Sequence, residues 1–287
     1  FQKMSRTLPK ASEVIKRILM VRPTHFQVKY AINPWMDTKT PVDKTLASAQ
    51  WTCLKDTIES VGGEVHVMES DNAHDYPDIV FAANAAVIRG NRVYLAHFHN
   101  KERQGERDFY KKWFDDNGFE TVGSTDIAFE GAGDALWAGE GWNKLFVGIG
   151  PRSSHAALTD LRGELKDGTD FQVVGCHLID QRYYHIDVAF CPLEERLALW
   201  FPDAYSPITR NNMKNHGVEL LAITAEEATG FACNSVVVGK NVIMHNSPKN
   251  ETVARKLEKV GYATHFVNMS EFIKAGGSAK CCTLQLP

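Results

Sequence analysis

The apolar and polar positions of this chain fall into a pattern that repeats. Phe81 to Val93 and Phe231 to Ile243 match along their length: an asparagine (Asn84, Asn234), an apolar strand, a Gly/Asn turn and a second apolar strand. That pattern predicts a β-hairpin. Glu130 to Val147 shares the outline, passing from a polar cluster through Ala135-Leu136-Trp137 and a glycine-rich turn to Lys144-Leu145-Phe146-Val147. His185 to Trp200 does so through Val188-Ala189-Phe190, a turn at Leu193-Glu194-Glu195, and Leu197-Ala198-Leu199-Trp200. The last residues, Cys281 to Leu286, read as the opening strand of a fifth hairpin.

A second series interleaves with the first. Helices are predicted over 43–61, 102–116, 154–166, 207–215 and 251–259, each closing at or near a glycine. Each leads into a short strand, over 64–67, 119–122, 171–174, 218–221 and 262–266. Glycine just past a helix end supplies the left-handed cap, and Asn250 is expected to cap the start of the last helix. The unit of helix, strand and hairpin thus runs five times along one domain, 1–287. Arg17-Ile18-Leu19-Met20-Val21 is left over at the start, placed to supply the return strand that the fifth unit lacks. Closing a ring that way leaves no free sheet edge.

Composition narrows the partners. With 44% hydrophobic residues among 287, the chain can bury a sizeable core. A net charge of -3 offers no basic field to nucleic acid or an anionic membrane. No apolar run approaches the roughly 18 residues of a membrane span. The start, Phe1 to Arg6, lacks the apolar core of a signal peptide. The six cysteines (Cys53, Cys176, Cys191, Cys233, Cys281, Cys282) show no CxxC spacing and read as reduced thiols, so a cytoplasmic location is expected.

In a radial array the polar residue opening each hairpin points toward the centre. Those positions are Asn84, the Glu130–Asp134 cluster, the His185–Asp187 pair, Asn234 and Cys281. The repeat therefore gathers carboxylate, imidazole and thiol, the constellation of covalent catalysis. Singly each signal is weak. Glu130-Gly131-Ala132-Gly133-Asp134 by itself reads first as a turn and only second as catalytic, and it lacks the third glycine of a dinucleotide fingerprint. His185 and Asp187, taken as strand residues, share one face and read equally as a structural pair. Cys281 and Cys282 alternate faces, so at most one meets the site and the other is expected in the core. The glycine pair Gly276-Gly277 and the neighbouring Lys280 suggest a thiol of lowered pKa. His97-Phe98-His99 has no third metal ligand at a convincing spacing.

Together these segments resemble the guanidine-modifying, or pentein, superfamily: arginine deiminases, dimethylargininases, agmatine deiminases and amidinotransferases. The resemblance covers essentially the whole chain. It rests on Glu130-Gly-Ala-Gly-Asp134, His185-x-Asp187 and Gly276-Gly277-x-x-x-Cys281-x-Thr283. Tyr30 to Met36 and Phe81 to Ala85 are most similar to the arginine dihydrolase branch. The resemblance implies an α/β five-bladed β/α propeller with its active site at the centre. It implies Cys281 as the nucleophile, two residues before Thr283, with His185 as acid and base and Glu130 orienting it. Asp187 and Asp134 are expected at the substrate guanidinium, Arg103 and Arg152 at its carboxylate, and Asn33 at its amino-acid end. Asn84 stands where deiminases typically carry aspartate, which favours the dihydrolase. The expected partner is a small guanidino compound such as L-arginine, with no cofactor, metal, nucleic acid or membrane; self-association is left open. The alternatives are a deiminase, dimethylargininase or amidinotransferase, a metal-dependent ureohydrolase or, outside enzymes, a ribosome-binding factor of the same fold.

Overall fold

The computed structural model describes residues 16–166 and 168–287; the Phe1–Arg6 segment lies outside the described residues. In chain order its strands are β1 (Arg17–Val21), β2 (Glu64–Met68), β3 (Ala86–Arg89), β4 (Arg92–Leu95), β5 (Glu120–Val122), β6 (Ala135–Ala138), β7 (Lys144–Ile149), β8 (Gln172–His177), β9 (Phe190–Glu194), β10 (Leu197–Trp200), β11 (Glu219–Ala222), β12 (Val236–Val238), β13 (Asn241–His245), β14 (Ala263–Val267) and β15 (Leu284–Gln285). They form five three-stranded sheets: β3-β4-β5, β6-β7-β8, β9-β10-β11, β12-β13-β14 and β15-β1-β2. In each, the middle strand runs antiparallel to the first, its hairpin partner in four of the sheets, and parallel to the third.

The fifth sheet draws on both ends of the chain. Ile18 pairs with Gln285 and Leu19 with Leu284, while β1 also pairs along its length with β2. The leftover strand thus supplies the middle position of the C-terminal unit. Leu19 and Leu284 are buried in one core cluster with Val93, Tyr110 and Phe114.

The parallel third strand requires a crossover, and the helices supply it. The helix Lys44–Ser60 is capped by Asp43, whose side chain accepts from the Leu46 N–H, and it buries Ala47, Trp51, Leu54 and Ile58. It packs against both β2 and β14, so it joins two neighbouring sheets. The predicted left-handed glycines follow the helices, as at Gly62 (φ 91°) and Gly261 (φ 85°).

Three expectations change. The single helix over 102–116 is two pieces, Lys101–Gln104 and Glu106–Asp116. They meet at Gly105, where a Cβ would lie 2.0 Å from the Tyr76 hydroxyl. Asn250 does not cap the last helix, Glu251–Lys259, with its side chain; its Nδ2 instead donates to the carbonyls of Gly230 and His245. His185 and Asp187 are not in a strand. They flank and enter a 3₁₀ turn, Ile186–Val188, just ahead of β9. A 3₁₀ turn, Ala82–Ala85, and a single turn of α-helix, Gly131–Asp134, likewise precede β3 and β6. A turn at the strand's start frees the polar side chain from the two-residue alternation of the sheet.

The β15–β1 pairing makes a stability prediction. Leu284→Ala should lower the unfolding free energy by about 2–4 kcal/mol in urea titrations, the usual range for a buried leucine truncation.

Candidate active site

Cys281 ends the loop that begins at Gly276-Gly277. A Cβ on Gly277 would fall 2.4 Å from the Phe81 ring and 3.1 Å from the Cys281 Cβ, so the chain passes there only as glycine. Asn234 holds the loop: its Oδ1 accepts from the N–H of Ser278 and of Cys281, both at 3.1 Å. Its Nδ2 donates to the Cys281 Sγ at 3.0 Å. On another side, the Cys281 thiol lies 3.6 Å from Asp187 Oδ2. The Cys281 carbonyl accepts from the Ala83 N–H at 3.0 Å, which ties this loop to the turn carrying Asn84.

His185 belongs to a second group of contacts. Its Nε2 lies 2.7 Å from Glu130 Oε2, and the Arg152 guanidinium donates to the same oxygen at 2.8 Å. Glu130 Oε1 accepts from the His99 N–H at 3.2 Å. Burial works to raise the Glu130 carboxyl, but Arg152 and His185 outweigh it and hold it well below the usual range. Burial lowers His185 to about 4, against the opposing pull of Glu130. The imidazole is therefore neutral at pH 7, with its proton on Nε2 facing the carboxylate and a lone pair on Nδ1.

Asn84 Nδ2 lies 3.4 Å from that Nδ1. The amide is oriented from behind, because Arg103 donates to its Oδ1 at 2.8 Å and a guanidinium has no acceptor. Arg103 is itself gripped by Glu106 at 2.8 and 2.7 Å and donates to the Asp78 carbonyl at 3.1 Å. The glycines of the Glu130–Asp134 motif make room for this arrangement. A Cβ on Gly133 would lie 2.2 Å from Asn84 Nδ2, and Gly131 has φ 59° against the Asn84 carbonyl. Asp134 accepts from the Ser153 hydroxyl at 2.6 Å and the Ile186 N–H at 3.2 Å, so it braces the turn behind His185.

Beside this cluster lies a cavity of about 280 Å³ lined by Asn33, His99, Asn100, Arg152, Gln181 and Tyr184 among others. Arg152 stacks over Tyr184 and donates to the Ile32 carbonyl at 2.9 Å. Asn33 donates to the Ala275 carbonyl at 3.0 Å and accepts from the Trp35 N–H at 2.9 Å. The segment around Ile32 is thereby tied to Arg152 and to the start of the Cys281 loop, and Ile32 packs against the core cluster that holds Cys281.

Cys281, Asp187, His185, Glu130, Asn84 and Arg152 thus come together, with Asp134 one contact further back. Arg103, expected at a substrate carboxylate, gives its hydrogen bonds instead to Glu106, Asn84 and Asp78. The thiol of lowered pKa is corrected too. Burial and the neighbouring Asp187 push Cys281 up, and Lys280 opposes them only weakly. Cys282 is buried, and the exposed thiol is Cys53. The residues given no role from the sequence are Asn234 and Glu106. Their signals were present: Asn234 shares the repeat position of Asn84, and Glu106 stands three residues after Arg103. Among the described residues no group of three or more His, Cys, Asp or Glu is placed to hold a metal ion. Nor, among those residues, is any helix long and apolar enough to cross a membrane.

A buried thiol between a carboxyl and an amide, beside a carboxylate-bound imidazole, suits attack on a planar cationic carbon. Over residues 22–287 the chain matches the family of N,N dimethylarginine dimethylhydrolases, eukaryotic, and it belongs to that family. It is 38% identical over 275 residues to the bifunctional arginine dihydrolase/ornithine cyclodeaminase ArgZ of Synechocystis, covering 94% of this chain and 37% of that relative. It is 33% identical over 271 residues to the N(G),N(G)-dimethylarginine dimethylaminohydrolase of Mycobacterium tuberculosis, covering 94% and 86%. The product-bound N-terminal domain of the cyanobacterial ArgZ superposes with a TM-score of 0.88 at 36% identity, covering 96% of this chain and 98% of that one. The chain is accordingly a hydrolase of the guanidine-modifying superfamily, acting on guanidino C–N bonds.

Asp187 makes the site testable by pH. Burial raises its carboxyl from 3.8 to about 7, so the folded chain retains a proton there that the unfolded chain releases. Stability is lost as pH rises through that window. Asp187→Asn removes the loss. The variant's gain over wild type should be larger at pH 8 than at pH 5 by about 1–3 kcal/mol in urea titrations. Equal differences at the two pH values would refute the buried titration.

Proposed function

We propose that this chain converts L-arginine to ornithine, carbon dioxide and two ammonia molecules, as an arginine dihydrolase with Cys281 as nucleophile. The observation that carries this reading is Asn84, a carboxamide held with its NH₂ toward His185 where deiminases typically carry aspartate. The likeness to ArgZ, named as an arginine dihydrolase, supports it. We read the five sheets as the blades of a five-bladed β/α propeller around this site. Its six free thiols suit a cytoplasmic location.

A guanidinium is resonance-stabilised and resists attack. In the proposed reaction Asp187 binds its N–H groups and holds its plane against the sulphur, a positioning effect. The substrate cation offsets the burial that raises the thiol, because an opposite charge nearby favours the thiolate. The thiol proton passes to His185 Nδ1. Sulphur bonds to the guanidinium carbon, and the departing nitrogen leaves with its electron pair and takes that proton. His185 then removes a proton from water, which adds to the thiouronium carbon. The C–S bond breaks and the thiol is restored, leaving a ureido group.

Asn84 governs the fate of that ureido group. Two aspartates bind a cation well and a neutral ureido group poorly. The Asn84 NH₂ can donate to the ureido oxygen and hold it for a second attack. That attack releases the second ammonia, and hydrolysis leaves a carbamate that loses carbon dioxide to give ornithine. Glu130 orients His185, Arg103 orients Asn84, and Asp134 braces the His185 turn. Arg152 and Asn33 would meet the amino-acid end from the adjoining cavity. The second reading is dimethylarginine hydrolysis to citrulline and dimethylamine, favoured by the matching family.

The deciding assay incubates the chain with L-arginine, or with dimethylarginine, and quantifies ornithine, citrulline, ammonia and dimethylamine. Ornithine with two ammonia per arginine is expected, and Cys281→Ala should lose at least about 10³-fold in rate. Asn84→Asp should shift the product from ornithine toward citrulline. If that variant still releases two ammonia per arginine, the role given to Asn84 is wrong.

A further inference from the structure

Asn234 is fully buried, and no step above uses it. It is nevertheless the residue most closely engaged with the reacting sulphur. Its amide cannot be turned over. Oδ1 faces two backbone N–H groups, of Ser278 and Cys281, and these only donate. The NH₂ is thereby directed at the Cys281 Sγ, 3.0 Å away, and at the Asp187 carbonyl, 3.3 Å away.

The chain holds this asparagine at a conformational cost. Phe231, three residues earlier, has φ 60°, in the left-handed region that a bulky side chain avoids. Its counterpart in the matching segment, Phe81, has an ordinary φ of -82°. Two segments of matching pattern therefore adopt different backbones, and the strained one carries the amide that meets the sulphur. Packing keeps the strain in place, with Phe231 buried against Trp35 at 4.7 Å between ring centroids.

We infer that Asn234 is a catalytic residue that donates a hydrogen bond to the Cys281 sulphur and stabilises its thiolate. The inference rests on the reading of Cys281 as nucleophile. The sulphur lies between an acceptor, Asp187, and a donor, Asn234. Protonated, it gives its hydrogen toward Asp187. Deprotonated, it is held by the Asn234 N–H. The bond acts twice in each turnover. It steadies the thiolate before its electron pair forms the S–C bond. It receives the sulphur again when water has added, the S–C bond breaks and the pair returns to sulphur.

The test uses alkylation by iodoacetamide, read peptide by peptide, with exposed Cys53 as the internal reference in the same molecule. Asn234→Asp keeps an acceptor for the two N–H groups but loses the donor and adds negative charge. Asn234→Ser loses the reach to sulphur and adds no charge. In both, the rate of Cys281 relative to Cys53 at fixed pH should fall about tenfold or more, since thiolate fraction falls tenfold per unit of thiol pKa. The rate on arginine should fall with it. A merely structural role predicts the opposite, because a loosened loop exposes the buried thiol and leaves the ratio unchanged or higher. Lost activity with an unchanged or raised ratio overturns the inference, and so does failure of both variants to fold. Activity retained in Cys281→Ala would instead overturn the nucleophile reading itself, whatever the Asn234 variants do.

Discussion

The site depends on a strand pairing between the two ends of the chain. Leu284–Gln285 is only two residues long and joins β1 through Ile18 and Leu19. Cys281 stands three residues before that strand. Its carbonyl meets the turn of Asn84, and its N–H meets Asn234, which lies in a different repeat. The register of β15 on β1 therefore sets where the thiol lies relative to everything else. A slip of one residue would exchange the faces of the strand and carry the packing of Leu284 and Leu286 out of the core.

Within that frame the chemistry is a problem of buried charge. Glu130 remains ionised although buried because it receives hydrogen bonds from Arg152, His185 and the His99 N–H at once. Asp187 has no comparable cation in direct contact, so burial raises it to about 7. Two carboxyls of one site are thus pushed in opposite directions, and the difference is one of partners rather than residue type. In the proposed reaction the missing partner of Asp187 is the substrate. A guanidinium entering beside it supplies the positive charge that both Asp187 and the Cys281 sulphur lack, so the reactive state is completed by the compound on which it acts.

Two asparagines then share a design. Each has its oxygen committed to donors, Asn84 to Arg103 and Asn234 to two backbone N–H groups, and each turns its NH₂ into the site, Asn84 toward His185 and Asn234 toward the Cys281 sulphur. An amide whose oxygen is engaged becomes a directed donor. The buried Arg103–Glu106 pair fits that purpose better than stabilisation, since burying an ion pair seldom adds net stability.

Much of this was legible in residues alone. The hairpin repeat, the helix-ending glycines and the spare strand at Arg17–Val21 stem from local patterns, because apolar periodicity and glycine conformation are properties of short segments. The inward polar positions, Asn84, Glu130, His185, Asp187, Asn234 and Cys281, come from the same repeat. What local pattern does not carry is the partner of each side chain. Arg103 looked like a substrate clamp, and only the fold turned it onto Glu106 and Asn84. Lys280 looked like an activator of Cys281, and only burial showed which way the thiol is driven. Asn234 and Asn84 are alike in sequence, yet Phe231 adopts a left-handed backbone and Phe81 does not. The sequence by itself determined which polar residues open the hairpins and can gather at one site. The tertiary structure decided which atoms face one another there, because direction and dielectric arise only when segments distant in the chain are packed together.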